Sequence, residues 1–159
     1  MTTGWVALMP ISEDLSSTLV NVARLARLAV DPWWIISSSA VALHGVDLVD
    51  VADVDLLVST IDAKRLLAEV GSEFRRERSD RFRSEIFGAW LGNALVVEIM
   101  ANFRVKAAAG WRQILPTTRQ SVQIHGESLF VPNKDELIEI LHMFGRPKDF
   151  ERAAKLGAL

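Results

Sequence analysis

The spacing of hydrophobic side chains predicts an amphipathic helix near the start of the chain. Leu15, Leu19 and Val22 recur at the interval that places side chains on one face of a helix. Ser12 precedes two acidic residues, and serine is a favoured residue at helix N-termini. Pro32 disfavours helical geometry in the residue before it, so the pattern predicts one helix between Ser12 and Pro32.

The remainder of the chain alternates short apolar runs with turn-forming residues, which predicts both strands and helices. Runs rich in β-branched and aromatic side chains predict strands, and paired runs around Gly92-Asn93 and around Gly126 predict two hairpins. The predicted strands are residues 33–36, 53–59, 82–91, 94–100, 121–125 and 128–131; the predicted helices are residues 40–44, 62–70, 133–144 and 153–156; residues 46–52 form a loop.

This order predicts a single α+β domain over residues 1–159, with a small mixed sheet and flanking helices. Hydrophobic residues make up 50% and charged residues 24% of the chain, the balance of a globular protein. The net charge is -2, so any attraction to polyanions must be local. The absence of cysteine excludes disulfides. Residues 1–10 lack the features of a signal peptide and no apolar run is long enough to span a bilayer, so we expect a cytoplasmic protein without a membrane partner.

Two carboxylates on one predicted strand indicate a cation site. Asp53 and Asp55 are two residues apart, so their side chains point to the same face, whereas Val54 and Leu56 point to the other. Adjacent carboxylates repel each other unless water or a divalent cation neutralises them. Mg²⁺ prefers oxygen ligands, often carboxylates together with substrate phosphates. A solvated strand edge is the alternative interpretation of this short motif.

Glu98 is a third carboxylate that could bind a cation, and it lies within the apolar predicted strand at residues 94–100. A charge there is costly unless it is paired or liganded. A neighbouring strand would bring Glu98 beside Asp53 and Asp55, and a salt bridge to an arginine such as Arg83 is the alternative. The three histidines are scattered and have no zinc-site spacing.

The order of these motifs resembles the nucleotidyltransferase superfamily, including its small stand-alone AbiEii-like and aminoglycoside-type members. In that family a strand ends in Gly-Gly or Gly-Ser, a short helix follows, and an Asp-x-Asp strand comes next. The segments that carry the resemblance are residues 33–45, WWIISSSAVALHG; residues 53–58, DVDLLV; residues 132–138, PNKDELI; and residues 145–150, GRPKDF.

The resemblance implies a role for each matching residue. Asp53, Asp55 and Glu98 match the metal-binding and catalytic carboxylates, with Mg²⁺ or Mn²⁺ as cofactor. The implied nucleotide-binding positions are Ser37, Ser38 and Lys148. Serines replace both glycines of the family pattern, which reduces backbone freedom near the phosphates. The family's basic residue before the Asp pair is also missing, since residues 49–52 are Val-Asp-Val-Ala.

A basic stretch follows the predicted helix at residues 62–70. Its interpretation is open between a solvated strand edge and a clamp for a triphosphate or a polyanionic acceptor, because arginine matches phosphate geometry. Arg104 and Lys106 are similar candidates. The stretch contains Arg75, Arg76, Arg78, Arg81 and Arg83.

Two hypotheses of different class follow. The first is an enzyme that transfers a nucleoside monophosphate from a nucleoside triphosphate to a hydroxyl of a small molecule, RNA or protein. The second is a degenerate member of the fold that serves as a nucleotide sensor or interaction module, for example in a toxin–antitoxin pair. At this length there is little room for a large acceptor-binding domain, so two alternatives stay open: the acceptor binds in an open cleft, or the second subunit of a homodimer or a cognate partner protein completes the site.

Overall fold

The computed structural model describes residues 5–6, 11–47 and 51–159, and at residues 5–6 it describes the backbone alone. The predictions for the N-terminal ten residues and for the centre of the 46–52 loop therefore lie mostly outside the described residues. The strands are β1 (Trp5–Val6), β2 (Trp34–Ile36), β3 (Asp53–Val58), β4 (Arg75–Arg78), β5 (Phe82–Trp90), β6 (Val96–Ala107), β7 (Gly110–Gln113), β8 (Gln120–Ile124) and β9 (Glu127–Val131). The helices are α1 (Glu13–Ala26), α2 (Ser37–Leu43), α3 (Thr60–Glu69), α4 (Lys134–Phe144) and α5 (Pro147–Gly157).

The larger sheet has the strand order β2-β3-β6-β5-β4, with β7 paired to β6. β3 and β6 run parallel, whereas the other pairs in this sheet are antiparallel. The smaller sheet has the order β1-β8-β9. The α+β prediction with a small mixed sheet is therefore confirmed, and both predicted hairpins are present as β5–β6 and β8–β9.

The helix ends follow the capping residues of the sequence. Ser12 accepts a hydrogen bond from the Leu15 backbone N–H at 3.1 Å, as expected for an N-cap. Asn133 does the same for α4 by accepting from Glu136 N–H at 2.9 Å. Gly145 ends α4 with φ of 71°, a left-handed conformation that glycine adopts without steric cost.

The core forms where helix faces pack onto the sheets. Leu19, Leu56, Ile99 and Leu141 come from a helix or strand each, and all are fully buried. Gly88 allows α3 to approach β5 closely, because a Cβ there would lie 2.5 Å from Leu67 Cδ2. No helix in the described part of the chain is both long and apolar enough to cross a membrane.

Candidate active site

The parallel pairing of β3 with β6 brings the predicted carboxylates together. Asp55 and Glu98 are directly paired in the register of these two strands. Alternation along β3 places Asp53 on the same face as Asp55, while Val54 and Leu56 are fully buried on the opposite face. The apolar face thus fixes the strand, and the fixed strand presents both aspartates beside Glu98.

One carboxylate oxygen from each of Asp53, Asp55 and Glu98 lies within 4.8 Å of the others. Each residue is half-buried. Within the described ranges, none of the three carboxylates forms a salt bridge, and Oδ1 of Asp55 is buried without a hydrogen-bond partner. Three converging acids with an unpaired buried oxygen are costly unless a cation or protons neutralise them.

The cost appears as raised pKa values of Asp55 and Glu98. Burial raises the pKa of Asp55 well above its usual value, and the negative charges of Asp53 and Glu98 raise it further. Burial also raises the pKa of Glu98, with Asp53 adding to the rise and Arg75 opposing it. The Ser37 hydroxyl lowers the pKa of Asp55, but the other causes outweigh it.

Ser37 begins α2 directly after β2, next to the carboxylates. Its φ of 63° lies in the left-handed region, where a side chain is strained by roughly 1–2 kcal/mol. This is the backbone conformation that a glycine would supply. Ser39, whose role the sequence did not reveal, fixes the same corner, because its hydroxyl donates to the Asp53 carbonyl at 2.8 Å.

The carboxylates open into a cavity of about 490 Å³. Asp55, Glu98 and Ser37 line one part of it, and two arginines from distant parts of the sequence, Arg75 and Arg146, also line it. The remaining lining residues are Glu77, Ser79, Phe82, Ser84, Phe87, Ala89, Met100, Phe103 and Phe144. Acidic, cationic and aromatic groups therefore face one space.

Arg146 is held rigidly at this cavity by the first turn of α5. Its Nε and Nη2 donate to the two carboxylate oxygens of Asp149, at 2.6 and 3.0 Å. Asp149 is fully buried and also accepts from the Arg146 backbone N–H at 3.1 Å. The guanidinium carbon lies 5.0 Å from the centroid of the Phe82 ring. Arg146 precedes Pro147 with an acid three residues on, a helix-start pattern that was visible in the sequence.

Arg75 is the second cavity arginine, on the edge strand β4. Its Nη2 lies 2.7 Å from Oε2 of Glu77, and its guanidinium carbon lies 5.1 Å from the Phe87 ring centroid. The sequence placed Arg75 in the basic stretch but gave no sign that it differs from its neighbours. The register of β4 with β5, where Arg75 pairs with Phe87, makes that distinction.

Three other residues named as candidates from the sequence lie away from the cavity or from their expected partner. Ser38 is buried beside Ser37 in α2 and does not line the cavity. Lys148 is exposed on the first turn of α5, outside the cavity lining. Arg83, the suggested partner of Glu98, is instead paired with Arg104 in the sheet and lies over Trp111, so that salt bridge does not form.

Comparison with solved structures places this arrangement in a known fold. A candidate nucleotidyltransferase from Thermotoga maritima matches with a TM-score of 0.76 at 20% identity, covering 95% of this chain and 97% of that one. The lincosamide antibiotic adenylyltransferase LnuA, with lincomycin bound, matches with a TM-score of 0.58 at 11% identity, covering 93% and 98%. The chain has the nucleotidyltransferase fold. The resemblance stated from the sequence is confirmed at that level.

A third nucleotidyltransferase-fold structure is the factor ANT(2'')-Ia in complex with adenylyl-2''-tobramycin, which matches with a TM-score of 0.57 at 13% identity over 89% of this chain and 87% of that one. No protein-family model matches the sequence, and no curated protein matches it. At these identities the nucleotidyltransferase fold is shared, and the chemistry must be argued from the residues of this chain.

The three carboxylates fit a divalent cation within this nucleotidyltransferase fold. Asp53, Asp55 and Glu98 offer oxygen ligands at distances that one ion can bridge, and Oδ1 of Asp55 lacks any other partner. Among the described residues, this is the one group of three or more His, Cys, Asp or Glu side chains whose geometry could hold a metal ion. The donor set, all carboxylate oxygen, suits Mg²⁺ or Mn²⁺ rather than a metal that prefers sulfur.

Proposed function

We propose that this chain is a metal-dependent nucleotidyltransferase, which moves a nucleoside monophosphate from a nucleoside triphosphate to a hydroxyl group. The observation that carries the proposal is the convergence of Asp53, Asp55 and Glu98 within 4.8 Å at a cavity that also holds two arginines. Catalysis of phosphoryl transfer depends on positioning and charge neutralisation. Carboxylates that can bind cations, next to arginines that can bind phosphates, meet both requirements.

In this proposal Asp53, Asp55 and Glu98 hold Mg²⁺ or Mn²⁺. A cation held there would neutralise both the carboxylates and the triphosphate, whose negative charges otherwise repel each other. Support comes from the unpaired Oδ1 of Asp55 and from the direction of the pKa shifts, because both show carboxylates without adequate neutralisation by the protein alone. An ion pair with an arginine or lysine would have neutralised these carboxylates without a bound metal ion.

The triphosphate occupies the cavity with its charge directed at Arg75 and Arg146. Arg146 suits this task because Asp149 already fixes its orientation, so little side-chain entropy is lost on binding. Ser37 lines the same cavity and offers a hydroxyl beside the carboxylates. Ser38 and Lys148 remain predicted nucleotide-binding positions, and their places outside the lining make them weaker ones than Arg75 and Arg146.

The reaction forms one bond and breaks one. The acceptor hydroxyl oxygen attacks the α-phosphorus, a new phosphorus–oxygen bond forms, and the bond to the β-phosphate bridging oxygen breaks, so that pyrophosphate leaves. Glu98 receives the hydroxyl proton, because its carboxylate lines the cavity directly beside Asp55 and can accept a proton there. Asp53 and Asp55, with Glu98, would hold the cation, which would supply charge neutralisation for the triphosphate.

The acceptor enters from the open side of the cavity. LnuA binds lincomycin, and ANT(2'')-Ia binds an adenylylated tobramycin, both of which are small hydroxyl-bearing molecules. The aromatic side chains Phe82, Phe103 and Phe144 pack with ring centroids 5.3 to 5.8 Å apart and give this cavity an apolar wall. A second copy of the chain or a cognate partner protein that covers the opening remains a prediction.

A degenerate nucleotide sensor is the second candidate function, and the serine at position 37 favours it. Serine fills a place where the family uses glycine, which narrows the approach of phosphate to the backbone. Against it, Ser37 adopts the left-handed φ of 63° that a glycine would adopt, so the local backbone path is retained. Such a sensor would bind nucleotide without transferring it.

Transfer of a radioactive label tests the proposal. The wild-type chain is incubated with Mg²⁺ and each α-³²P-labelled nucleoside triphosphate, with lincomycin, tobramycin or total RNA as acceptor. Transfer of label to one acceptor, lost in Asp55→Asn and Glu98→Gln but kept in the exposed-site control Asp80→Asn, supports the enzyme. Bound nucleotide without transfer to any acceptor would favour the sensor, and neither binding nor transfer would refute both.

A further inference from the structure

A row of three arginines crosses the outer strands of the larger sheet. Arg78 of β4 is paired with Arg83 of β5, and Arg83 is paired with Arg104 of β6. Directly paired residues of antiparallel strands point to the same face, with Cβ atoms about 5 Å apart. All three side chains are exposed, and they line one shallow cavity of about 250 Å³ together with Arg76.

This arrangement is unfavourable for the isolated chain. Like charges placed opposite each other in a sheet are destabilising. The two glutamates that line the same cavity do not neutralise the row, because Glu77 pairs with Arg75 and Glu85 accepts a hydrogen bond from Asn102 at 2.9 Å. Among the described residues no carboxylate forms a salt bridge with the row.

The middle arginine is also stacked on an aromatic ring. The Arg83 guanidinium carbon lies 3.9 Å from the centroid of Trp111 on β7, while the side chain remains exposed. An arginine plane held in this way can support an unpaired nucleobase on its open side. Lys106, also exposed and two residues from Arg104, extends the positive charge along β6 on the same face.

We propose that the row formed by Arg78, Arg83 and Arg104 binds the phosphate backbone of a single-stranded nucleic acid. Three strands about 4.8 Å apart spread the guanidinium groups over roughly 10 Å, which matches a few nucleotides of an extended strand. A chain with net charge -2 has no general attraction for polyanions, so any such attraction must come from a local patch such as this arginine row. Repeated phosphates match repeated guanidinium groups, and the Arg83–Trp111 stack favours bases over a plain polyanion.

The row and the candidate active site lie on opposite faces of the same strands. Its cavity and the larger one share two lining residues, Glu77 and Ser84. Alternation along β4 and β5 places these two residues on the opposite face from Arg78 and Arg83, so the row faces away from the carboxylates. Binding of nucleic acid to the row therefore does not depend on the proposed transfer reaction.

Fluorescence anisotropy with a labelled single-stranded RNA of about 15 nucleotides tests the row, with DNA of the same sequence and inorganic polyphosphate as comparison probes. The test variant is Arg78→Gln/Arg83→Gln/Arg104→Gln. The matched control, Arg24→Gln/Lys64→Gln/Lys155→Gln, removes the same charge from exposed positions on helices. Arg83→Lys keeps the charge but weakens the stack on Trp111.

The row variant is expected to bind RNA at least 10-fold more weakly at 50 mM salt, and the slope of log affinity against log salt to become about two units shallower. The helix control should stay within about 2-fold of wild type, and Arg83→Lys should lose affinity for RNA but not for polyphosphate. Equal loss in both triple variants, or tighter binding of polyphosphate than of RNA, would overturn the proposal. If the row variant loses RNA binding but binds a triphosphate analogue as wild type does, the row is separate from the proposed catalytic site. If it binds RNA as wild type does, the proposal for the row is overturned, whatever happens to binding of the triphosphate analogue.

Discussion

Asp55 and Glu98 occupy directly paired positions on the parallel strands β3 and β6, so two acids face each other across a pairing that the core fixes. Neither strand can shift by one residue to relieve this repulsion, because a shift would turn the buried Val54 and Leu56 towards the cavity. The packing therefore holds the carboxylates together in spite of their mutual repulsion.

Removing one charge from this group is expected to stabilise the protein without metal. Asp55→Asn keeps the side-chain shape but removes the charge that burial and Asp53 disfavour. We expect the melting temperature at pH 7 without divalent cations to rise by a few degrees, given about 2–4 °C for each kcal/mol in a domain of this size. The variant should gain nothing from added Mg²⁺, whereas wild type should gain. A melting temperature well below that of wild type would show a structural role for Asp55.

The stability of the metal-free protein should fall as pH rises above the ordinary carboxyl range. The pKa values of Asp55 and Glu98 are raised by folding, so the protonated folded state is favoured below about pH 4 and this contribution is lost as pH rises through the raised values. Mg²⁺ competes with these protons, so the increase in melting temperature that it causes should grow over the same pH window. Thermal melts from pH 4 to 8, with and without Mg²⁺, measure both trends, and a Mg²⁺ effect that is constant across the window would contradict them.

Ser37 offers a test that separates backbone strain from hydroxyl chemistry. Ser37→Gly relieves the strain of a φ of 63°, while Ser37→Ala retains the strain and both variants lose the hydroxyl beside Asp55. We expect the glycine variant to be more stable than the alanine variant by about 1 kcal/mol in urea denaturation. Both should bind Mg²⁺ more weakly at low pH, since the hydroxyl lowers the pKa of Asp55. Equal stabilities would mean that the loop relaxes without strain.

The Arg146–Asp149 pair is expected to contribute to both stability and nucleotide binding. Asp149→Ala removes the buried carboxylate that fixes Arg146, and Arg146→Gln leaves that carboxylate without its cation. Breaking a buried pair from one side costs about 3 kcal/mol, so we expect Arg146→Gln to lose roughly that much free energy of unfolding. Arg146→Lys should recover part of the stability but little of the affinity for a triphosphate analogue, because lysine cannot bind Asp149 through two parallel hydrogen bonds. Full affinity in a folded Arg146→Lys variant would exclude the arginine from phosphate binding.

The fold was predictable where periodicity and capping agreed. Ser12 and Asn133 predicted helix starts that the structure confirms, and the alternation after Asp53 predicted a strand with a buried face. The β4 strand was missed as an element because its residues are charged and mostly exposed, which leaves no hydrophobic alternation to detect. The long β6 strand continues past Met100, since Asn102 adopts a φ of 49° and lets the strand change faces without ending.

The site was predictable in its carboxylates and not in its arginines. Asp53 and Asp55 share a strand, so their common face follows from sequence spacing, and Glu98 needed only one strand pairing. Arg75 and Arg146 reach the cavity through long-range pairing and a helix start, and nothing local separates them from the other arginines. Lys148 matches the motif position of the family, but the start of α5 places Arg146 rather than Lys148 in the lining of the cavity.

The most direct measurement of the central claim is isothermal calorimetry of a non-hydrolysable nucleoside triphosphate, with and without Mg²⁺. It compares wild type, the Asp53→Asn/Asp55→Asn double variant and Asp80→Asn as an exposed control. We expect binding that requires Mg²⁺ in wild type and in Asp80→Asn and that is lost in the folded double variant. Binding that is equal in all three proteins, or equal with and without Mg²⁺, would contradict a metal-dependent nucleotide site at these carboxylates.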